Sequence, residues 1–221
     1  RDAAAVFVLE PSVDGELKSS RKGTSWYEVE ITGRAAHAGL EPEKGINALV
    51  EAAALVHAAT QWGAPDLGTT VTPTTARAGV TDNTVPDRAV IGIDARAWTY
   101  DEQVRVDDLV RGWSLTHPEA RLSILAGGIN RPAMAAAPHL LDIAQECAHT
   151  LGLGELRDRA VGGGSDGNFT AALGIPTLDG LGAVGDGAHA DHEWASIRGM
   201  QERSALLALM INAVLMQVHS S

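Results

Sequence analysis

The chain has 221 residues, 45% of them hydrophobic and 20% charged, enough for one large domain or two small ones with buried cores. Its 28 acidic residues against 17 basic give a net charge of −11, which argues against nucleic acid and against an anionic membrane surface as partners. Cys147 is the only cysteine, which excludes an intrachain disulfide, and no apolar run approaches the length of a membrane span.

Val6–Leu9 reads as a fully buried strand almost at the first residue, after Arg1-Asp2-Ala3 with neither Met nor a signal peptide. The expectation is a piece of a longer polypeptide, with the cytoplasm the favoured compartment. Trp26–Thr32 alternates polar and apolar side chains as a half-buried strand does. Pro42 then opens a helix whose period runs through Ile46, Leu49, Val50, Ala53, Ala54 and His57, and Gly63-Ala64-Pro65 stops it. Gly68–Ala78 and Arg88–Trp98 read as strands about a turn marked by Asn83, Pro86 and Asp87. Asp101 caps a second helix carrying Val104, Leu109, Val110 and Trp113, and Arg121–Leu125 is a further strand. This β-α-β-β-α-β order is that of a ferredoxin-like domain, assigned to residues 22–130. Pro138–Leu151 and Ile197–His219 read as helices and Pro176-Thr177-Leu178 as a short buried strand. The predicted architecture is therefore α/β, with residues 1–21 and 131–221 forming part of one domain into which the smaller one is inserted.

Chemistry concentrates at element ends. Gly162-Gly163-Gly164-Ser165-Asp166 opens into a short helix, and a glycine loop of this kind leaves backbone amides for an anion; a plain turn is the competing reading. It lacks the lysine of a phosphate loop and the spacing of a dinucleotide fingerprint. Glu10 ends the first strand, where open α/β sheets place ligands, though a solvated strand-end glutamate has the same pattern. His189 lies in a second glycine-rich loop as a ligand or an ordinary loop histidine, and His189-x-x-His192-Glu193 matches no helical metalloprotease signature. His37 occupies a tight turn, and Asn83, Arg96 and Arg131 sit at element ends, each alone compatible with a surface role. Cys147 reads as a buried, inert thiol.

Six segments taken together resemble the two-zinc exopeptidase and deacylase family, which includes glutamate carboxypeptidases, acetylornithine deacetylase, succinyl-diaminopimelate desuccinylase and aminoacylases. They are Val8-Leu9-Glu10-Pro11-Ser12, the turn from Gly33 to Gly39, the run from Glu41 to Ala48, Asn83-Thr84-Val85-Pro86, Gly163-Gly164-Ser165-Asp166, and Gly187-Ala188-His189. The likeness is greatest to the glutamate carboxypeptidase branch. It implies a catalytic domain interrupted by a lid that pairs in a homodimer, a small peptide or N-acyl amino-acid substrate, and two zinc ions per complete subunit. Glu10 would be a ligand of one zinc and His189 of the other. His37 would be the catalytic histidine that reaches the other subunit and hydrogen-bonds the oxyanion. Asn83, Arg96 and Arg131 would bind substrate, and Gly163, Gly164, Ser165 and Asp166 would hold its carboxylate.

The family's His-x-Asp motif, bridging Asp and Glu-Glu pair precede the strand that ends at Glu10 and are not in this sequence, so the metal site and the general base are incomplete. A metallohydrolase whose activity belongs to a complete protein therefore stands beside a non-catalytic dimerisation and substrate-recognition module. An unrelated small-molecule binding domain is a third possibility.

Overall fold

Four long strands and two helices account for one half of the molecule, and a set of short strands with two longer helices for the other. The structure, a computed structural model, describes residues 3–12, 14–187 and 189–219. In chain order the elements are β1 (Val6–Phe7), β2 (Leu17–Arg21), β3 (Gly23–Thr32), α1 (Ala48–Ala59), β4 (Thr70–Ala78), β5 (Arg88–Ala97), α2 (Tyr100–Arg111) and β6 (Arg121–Arg131). They continue with α3 (Pro138–Thr150), β7 (Asp158–Val161), α4 (Gly167–Ala172), β8 (Thr177–Leu178), β9 (Gly185–Asp186), β10 (Trp194–Ala195) and α5 (Ile197–His219). Two compact units result, one of Arg1–Lys22 with Pro132–Ser221 and one of Gly23–Arg131. Among the described residues no helix is long and apolar enough to cross a membrane.

In the Gly23–Arg131 unit the strands lie in the order β4-β5-β3-β6, each antiparallel to its neighbour. Strand alternation sends Tyr27, Val29, Ile31, Ala89, Ile91 and Ile93 to one face. There they bury against Ala52, Leu55 and Ala59 of α1 and Val106 and Val110 of α2. Glu28 and Glu30, on the opposite face, meet Arg77 and Arg88. At the end of this unit Gln103 Nε2 donates to the Arg131 carbonyl (2.9 Å) and to Ser25 Oγ (3.3 Å). Gly23 is the residue that lets Gln103 lie there, because a Cβ would come within 2.2 Å of its amide oxygen.

Several boundaries depart from the sequence reading. Pro42 opens a single 3₁₀ turn, Pro42–Lys44, and α1 starts at Ala48 behind Asn47, whose side chain accepts from the amides of Leu49 (3.0 Å) and Val50 (3.2 Å). Thr99, not Asp101, caps α2. The face of α1 read as the core face is the outer one: Leu49, Val50, Ala53 and His57 are exposed, while Ala48, Glu51, Ala52, Leu55 and Ala59 are buried. A helix apolar on both sides carries no single amphipathic stripe from which to choose. β6 runs on to Arg131, and β1 is shorter than Val6–Leu9.

In the other unit β1 pairs in parallel with β8, β2 in parallel with β7, and β9 antiparallel with β10; a bridge between Lys18 and Asp179 ties β2 to the end of β8. Leu17 and Leu178 from the strands meet Leu140, Ile143, Ala144 and Cys147 of α3 and Leu206 and Met210 of α5. The Cys147 thiol is buried, and desolvation pushes its pKa up, in keeping with an inert group.

Glu51 is a buried carboxylate in α1 that accepts from the amides of Thr116 and His117, each at 2.8 Å, and so pins the loop before β6. Replacing it with alanine leaves two donors without their acceptor. Glu51→Ala is expected to cost about 2–3 kcal/mol of stability, measured by urea unfolding; a change below about 0.5 kcal/mol would show that water replaces the carboxylate.

Candidate active site

Chain geometry brings Glu10 and His189 to one place. After β1 the backbone continues as an extended ribbon held from one side: the Leu181 amide donates to Val8 O (3.2 Å), Gly182 to Glu10 O (3.0 Å) and Ser12 to Ala183 O (2.9 Å). Gly182 must be glycine for this approach, since a Cβ would stand 2.3 Å from Leu9 O. The chain then passes through β9, turns, and returns as β10. His189 lies in that turn with a φ of 67°, a left-handed conformation that side-chain-bearing residues seldom adopt. Gly187, beside it, has a φ of 78°, and Ala188 between them lies outside the described residues. Such an outlier is characteristic of functional loops.

The result is a cleft of about 600 Å³ lined by Glu10, Ser12, Lys18, Asp186, His189 and Trp194 among others. Among the described residues Lys18 is the only lysine or arginine in that lining. Partial burial lowers its pKa, as does the nearby Arg21 charge, against the opposing pull of Asp179 and Glu10. Glu10 and His189 supply the oxygen and nitrogen donors that suit zinc. Among the described residues, however, no group of three or more His, Cys, Asp or Glu side chains is placed to hold a metal ion.

Beside β1 lies the glycine loop. Gly167, at its end, approaches the Val8 side chain so closely that a Cβ would be 3.1 Å from it. The loop is pinned from below. Arg21 makes a two-pronged pair with Asp179, Nε to Oδ2 at 2.7 Å and Nη2 to Oδ1 at 3.0 Å, and sends Nη1 to the Gly163 carbonyl at 2.8 Å. Ser165 Oγ donates to Asp179 Oδ2 (2.5 Å) and accepts from the Gly167 amide (3.2 Å). The Ser165 amide donates to Asn168 Oδ1 (2.8 Å), and Asn168 Nδ2 in turn reaches the carbonyls of Lys22 and Pro132. Ser165 is thus turned inward and buried, whereas Gly163 and Gly164 are exposed, with amides that donate to no acceptor among the described residues.

Arg21 and Asp179 escaped the sequence reading. The signal for Asp179 was present, since it follows the buried strand Thr177–Leu178 just as Glu10 follows β1. Arg21 lies in Lys18-Ser19-Ser20-Arg21-Lys22, a polar run that conceals the strand β2.

In the Gly23–Arg131 unit His37 and Asn83 share one corner: His37 bridges Thr84, and the Ala38 amide donates to Asn83 O (2.8 Å). His37 Nδ1 accepts from the amides of Gly39 (3.1 Å) and Leu40 (3.2 Å). With Nδ1 engaged as an acceptor, the neutral ring carries its proton on Nε2. Arg96 and Arg131 lie on the strands either side of Thr24, which is in register with both. Arg96 is held by Asp94 in a bidentate pair at 2.8 and 2.9 Å, and Arg131 Nη1 donates to Asn130 Oδ1 at 3.1 Å.

Residues 19–120 match the peptidase dimerisation domain and residues 121–213 match peptidase family M20/M25/M40. The chain belongs to the M20/M25/M40 peptidase family. Within this family it is 31% identical over 220 residues to carboxypeptidase G2 of Pseudomonas sp. (strain RS-16), an alignment covering 93% of this chain and 51% of that protein. Among solved structures it is similar to aminopeptidase PepT from Bacillus cereus, with a TM-score of 0.73 and 24% identity over 97% of this chain and 58% of that one. It is similar also to a tripeptidase from Staphylococcus aureus (TM-score 0.71, 22% identity, 97% and 58% covered). An aminobenzoyl-glutamate utilization protein from Klebsiella pneumoniae shares the fold too (TM-score 0.65, 20% identity, 95% and 54% covered). The chain spans about half the length of the family relative it matches in sequence.

The ring geometry of His37 is directly measurable. Nitrogen-15 spectra of the neutral imidazole are expected to show a protonated Nε2 and a bare Nδ1; a proton on Nδ1 would contradict the turn hydrogen bonds.

Proposed function

We propose that these residues form the C-terminal part of a two-zinc exopeptidase or deacylase that hydrolyses a peptide or N-acyl amino-acid bond next to a free carboxylate. The observation that carries the reading is the meeting of Glu10 and His189 in one cleft, in a chain of peptidase family M20/M25/M40. That this sequence covers 51% of its carboxypeptidase relative supports its being one portion of such an enzyme. In this reading the Gly23–Arg131 unit, with its β-α-β-β-α-β order, is a ferredoxin-like lid and dimerisation domain.

Zinc sites are built from three or four protein ligands. One carboxylate and one imidazole are donors of the right kind, but among the described residues nothing completes the set. The residues present do not fit a whole zinc site, and no step is assigned here to a metal. The missing donors and the general base would come from polypeptide outside these residues.

What this chain contributes is recognition and charge stabilisation. The exposed amides of Gly163 and Gly164 donate to the substrate carboxylate, with Asp166 at the mouth of the same loop. Arg131, planar and able to bind two oxygens at once, Asn83, and Arg96 through the Nη1 that its Asp94 pair does not use hold the polar groups flanking the scissile bond. His37 donates Nε2–H to the carbonyl oxygen as it becomes an oxyanion, in the active site of the other subunit of a homodimer. Two features support that dimer: the outer edge of β4 is unpaired by any described strand, and the exposed face of α1 carries Leu49 and Val50. An isologous pairing covers both at once.

A second reading, a dimerisation and recognition module without catalysis of its own, is favoured for the isolated chain by the incomplete donor set. Elemental analysis of the isolated chain is expected to find fewer than two zinc ions per chain, and assays no turnover of an N-acyl glutamate. Two zinc ions with activity would overturn the partition of the site. Sedimentation is expected to show a dimer at micromolar concentration, and a strict monomer would count against the lid's role. In the complete enzyme His37→Ala is expected to lower kcat about a hundredfold or more with little change in KM. Normal turnover by an intact dimer of that variant would remove His37 from the reaction.

A further inference from the structure

The loop proposed to hold the carboxylate has a peculiarity that its glycines do not explain. Three glycines in a row confer freedom, and a free loop binds an anion poorly, because each amide must be ordered at the moment of binding. Here the loop is held by a buried ion pair instead. Arg21 and Asp179 are 4% and 0% exposed, and a charge pair so deep is retained only where its geometry satisfies both partners. Asp179 uses both carboxylate oxygens: Oδ2 takes Arg21 Nε and Ser165 Oγ, and Oδ1 takes Arg21 Nη2 and the Gly180 amide. Arg21 then has one terminal nitrogen left, and it donates to the Gly163 carbonyl.

That last bond determines the loop's polarity. A peptide unit carries its carbonyl and its amide on opposite sides. Drawing the Gly163 carbonyl down onto Arg21 turns the following amide, that of Gly164, toward the exposed side. Ser165 fixes the next unit from below through its amide and hydroxyl. Gly163 and Gly164 are exposed, with amides that donate to no acceptor among the described residues, and among those residues neither Gly162 nor Gly163 has anything within 4 Å of where a Cβ would stand. We infer that Arg21 and Asp179 are positioning residues for carboxylate recognition: by holding the Gly163 carbonyl they pre-orient the Gly164 amide, beside the exposed amide of Gly163, as a seat for a ligand carboxylate. The inference rests on the carboxylate-holding role given to this loop above. It adds that the seat is built by a charge pair neither member of which touches the ligand.

Arg21→Lys separates this role from mere support. Lysine keeps a positive charge against Asp179 but cannot donate in the three directions that reach Oδ1, Oδ2 and the Gly163 carbonyl together. The 221-residue chain is titrated with N-acetyl-L-glutamate while the amide resonances of Gly163 and Gly164 are followed by NMR, and thermal melting is recorded for each variant. The parent chain is expected to show saturable shifts at both amides, and Arg21→Lys an affinity at least tenfold weaker. Leu206→Ala, which opens a cavity in the core of the same unit, is expected to melt lower yet bind as the parent does. Ser165→Ala, which removes only the hydroxyl link to Asp179, is expected to bind at least threefold weaker, and it carries the test should Arg21→Lys not fold. Unchanged affinity in the folded Arg21→Lys, or in Ser165→Ala when it stands in, would overturn the positioning role while leaving the loop's function intact. A loss in Leu206→Ala equal to that in the positioning variants would overturn it as well, by showing generic destabilisation. No response of Gly163 and Gly164 in the parent chain would overturn the carboxylate reading itself and this inference with it.

Discussion

The pair between Arg21 and Asp179 is the buried polar contact that ties Arg1–Lys22 to Pro132–Ser221 at the glycine loop, beside the strand pairs and the apolar core that join them elsewhere. It joins β2 to the segment after β8 and, through Ser165 and the Gly163 carbonyl, to the loop that follows β7. Breaking a buried pair of this kind by removing one partner costs about 3–5 kcal/mol, since the other charge is left without compensation in a medium that solvates it poorly. Short strands make this dependence acute. β1 and β8 have two residues each and β7 four, so side-chain bonds bear much of the register that long ladders provide elsewhere.

The Gly23–Arg131 unit is stabilised by different means. Its sheet has long ladders and a continuous apolar face under two helices, so its polar residues are released for the other face and for the turns. The His37 turn shows the consequence. Its geometry comes from backbone hydrogen bonds to Nδ1 within three residues, and the unused nitrogen is therefore a donor whatever lies beyond it. α1 shows the same division of labour, because Ala48, Ala52, Leu55 and Ala59 bury against the sheet while Leu49 and Val50 stay outside. A helix with a spare apolar face accords with a match to the peptidase dimerisation domain.

Electrostatics follow the same partition. The chain carries a net −11, yet its arginines are placed locally: Arg21 under the glycine loop, and Arg96 and Arg131 either side of Thr24. An acidic protein that recognises an anion needs such local placement, since its overall field opposes the ligand. In the cleft of Glu10 and His189 the balance is reversed: among the described residues of its lining Lys18 is the only lysine or arginine beside Glu10, Asp186 and Glu193.

Sequence alone determined the long elements and the order in which they occur, because periods of two and 3.6 residues persist over ten residues or more in β3, β5, α2, α3 and α5. It also marked Glu10, His37, Asn83 and His189, since polar residues in glycine-rich turns or at strand ends stand out from their neighbours and occur together in a recognisable series. It did not determine which face of α1 is buried, because Leu49 and Val50 on one side match Leu55 and the alanines on the other, and Glu51 among the latter makes that side read as the polar one. Which side the sheet and the loop before β6 can receive is a property of packing alone. Nor did it determine β2 and β7: Leu17–Arg21 and Asp158–Val161 are polar, short, and apart by more than a hundred residues, and only their pairing makes them strands. Arg21 and Asp179 belong to that class. A charge becomes a buried partner only when distant segments close around it; the buried strand before Asp179 marks its position but not its partner, and the polar run around Arg21 marks neither.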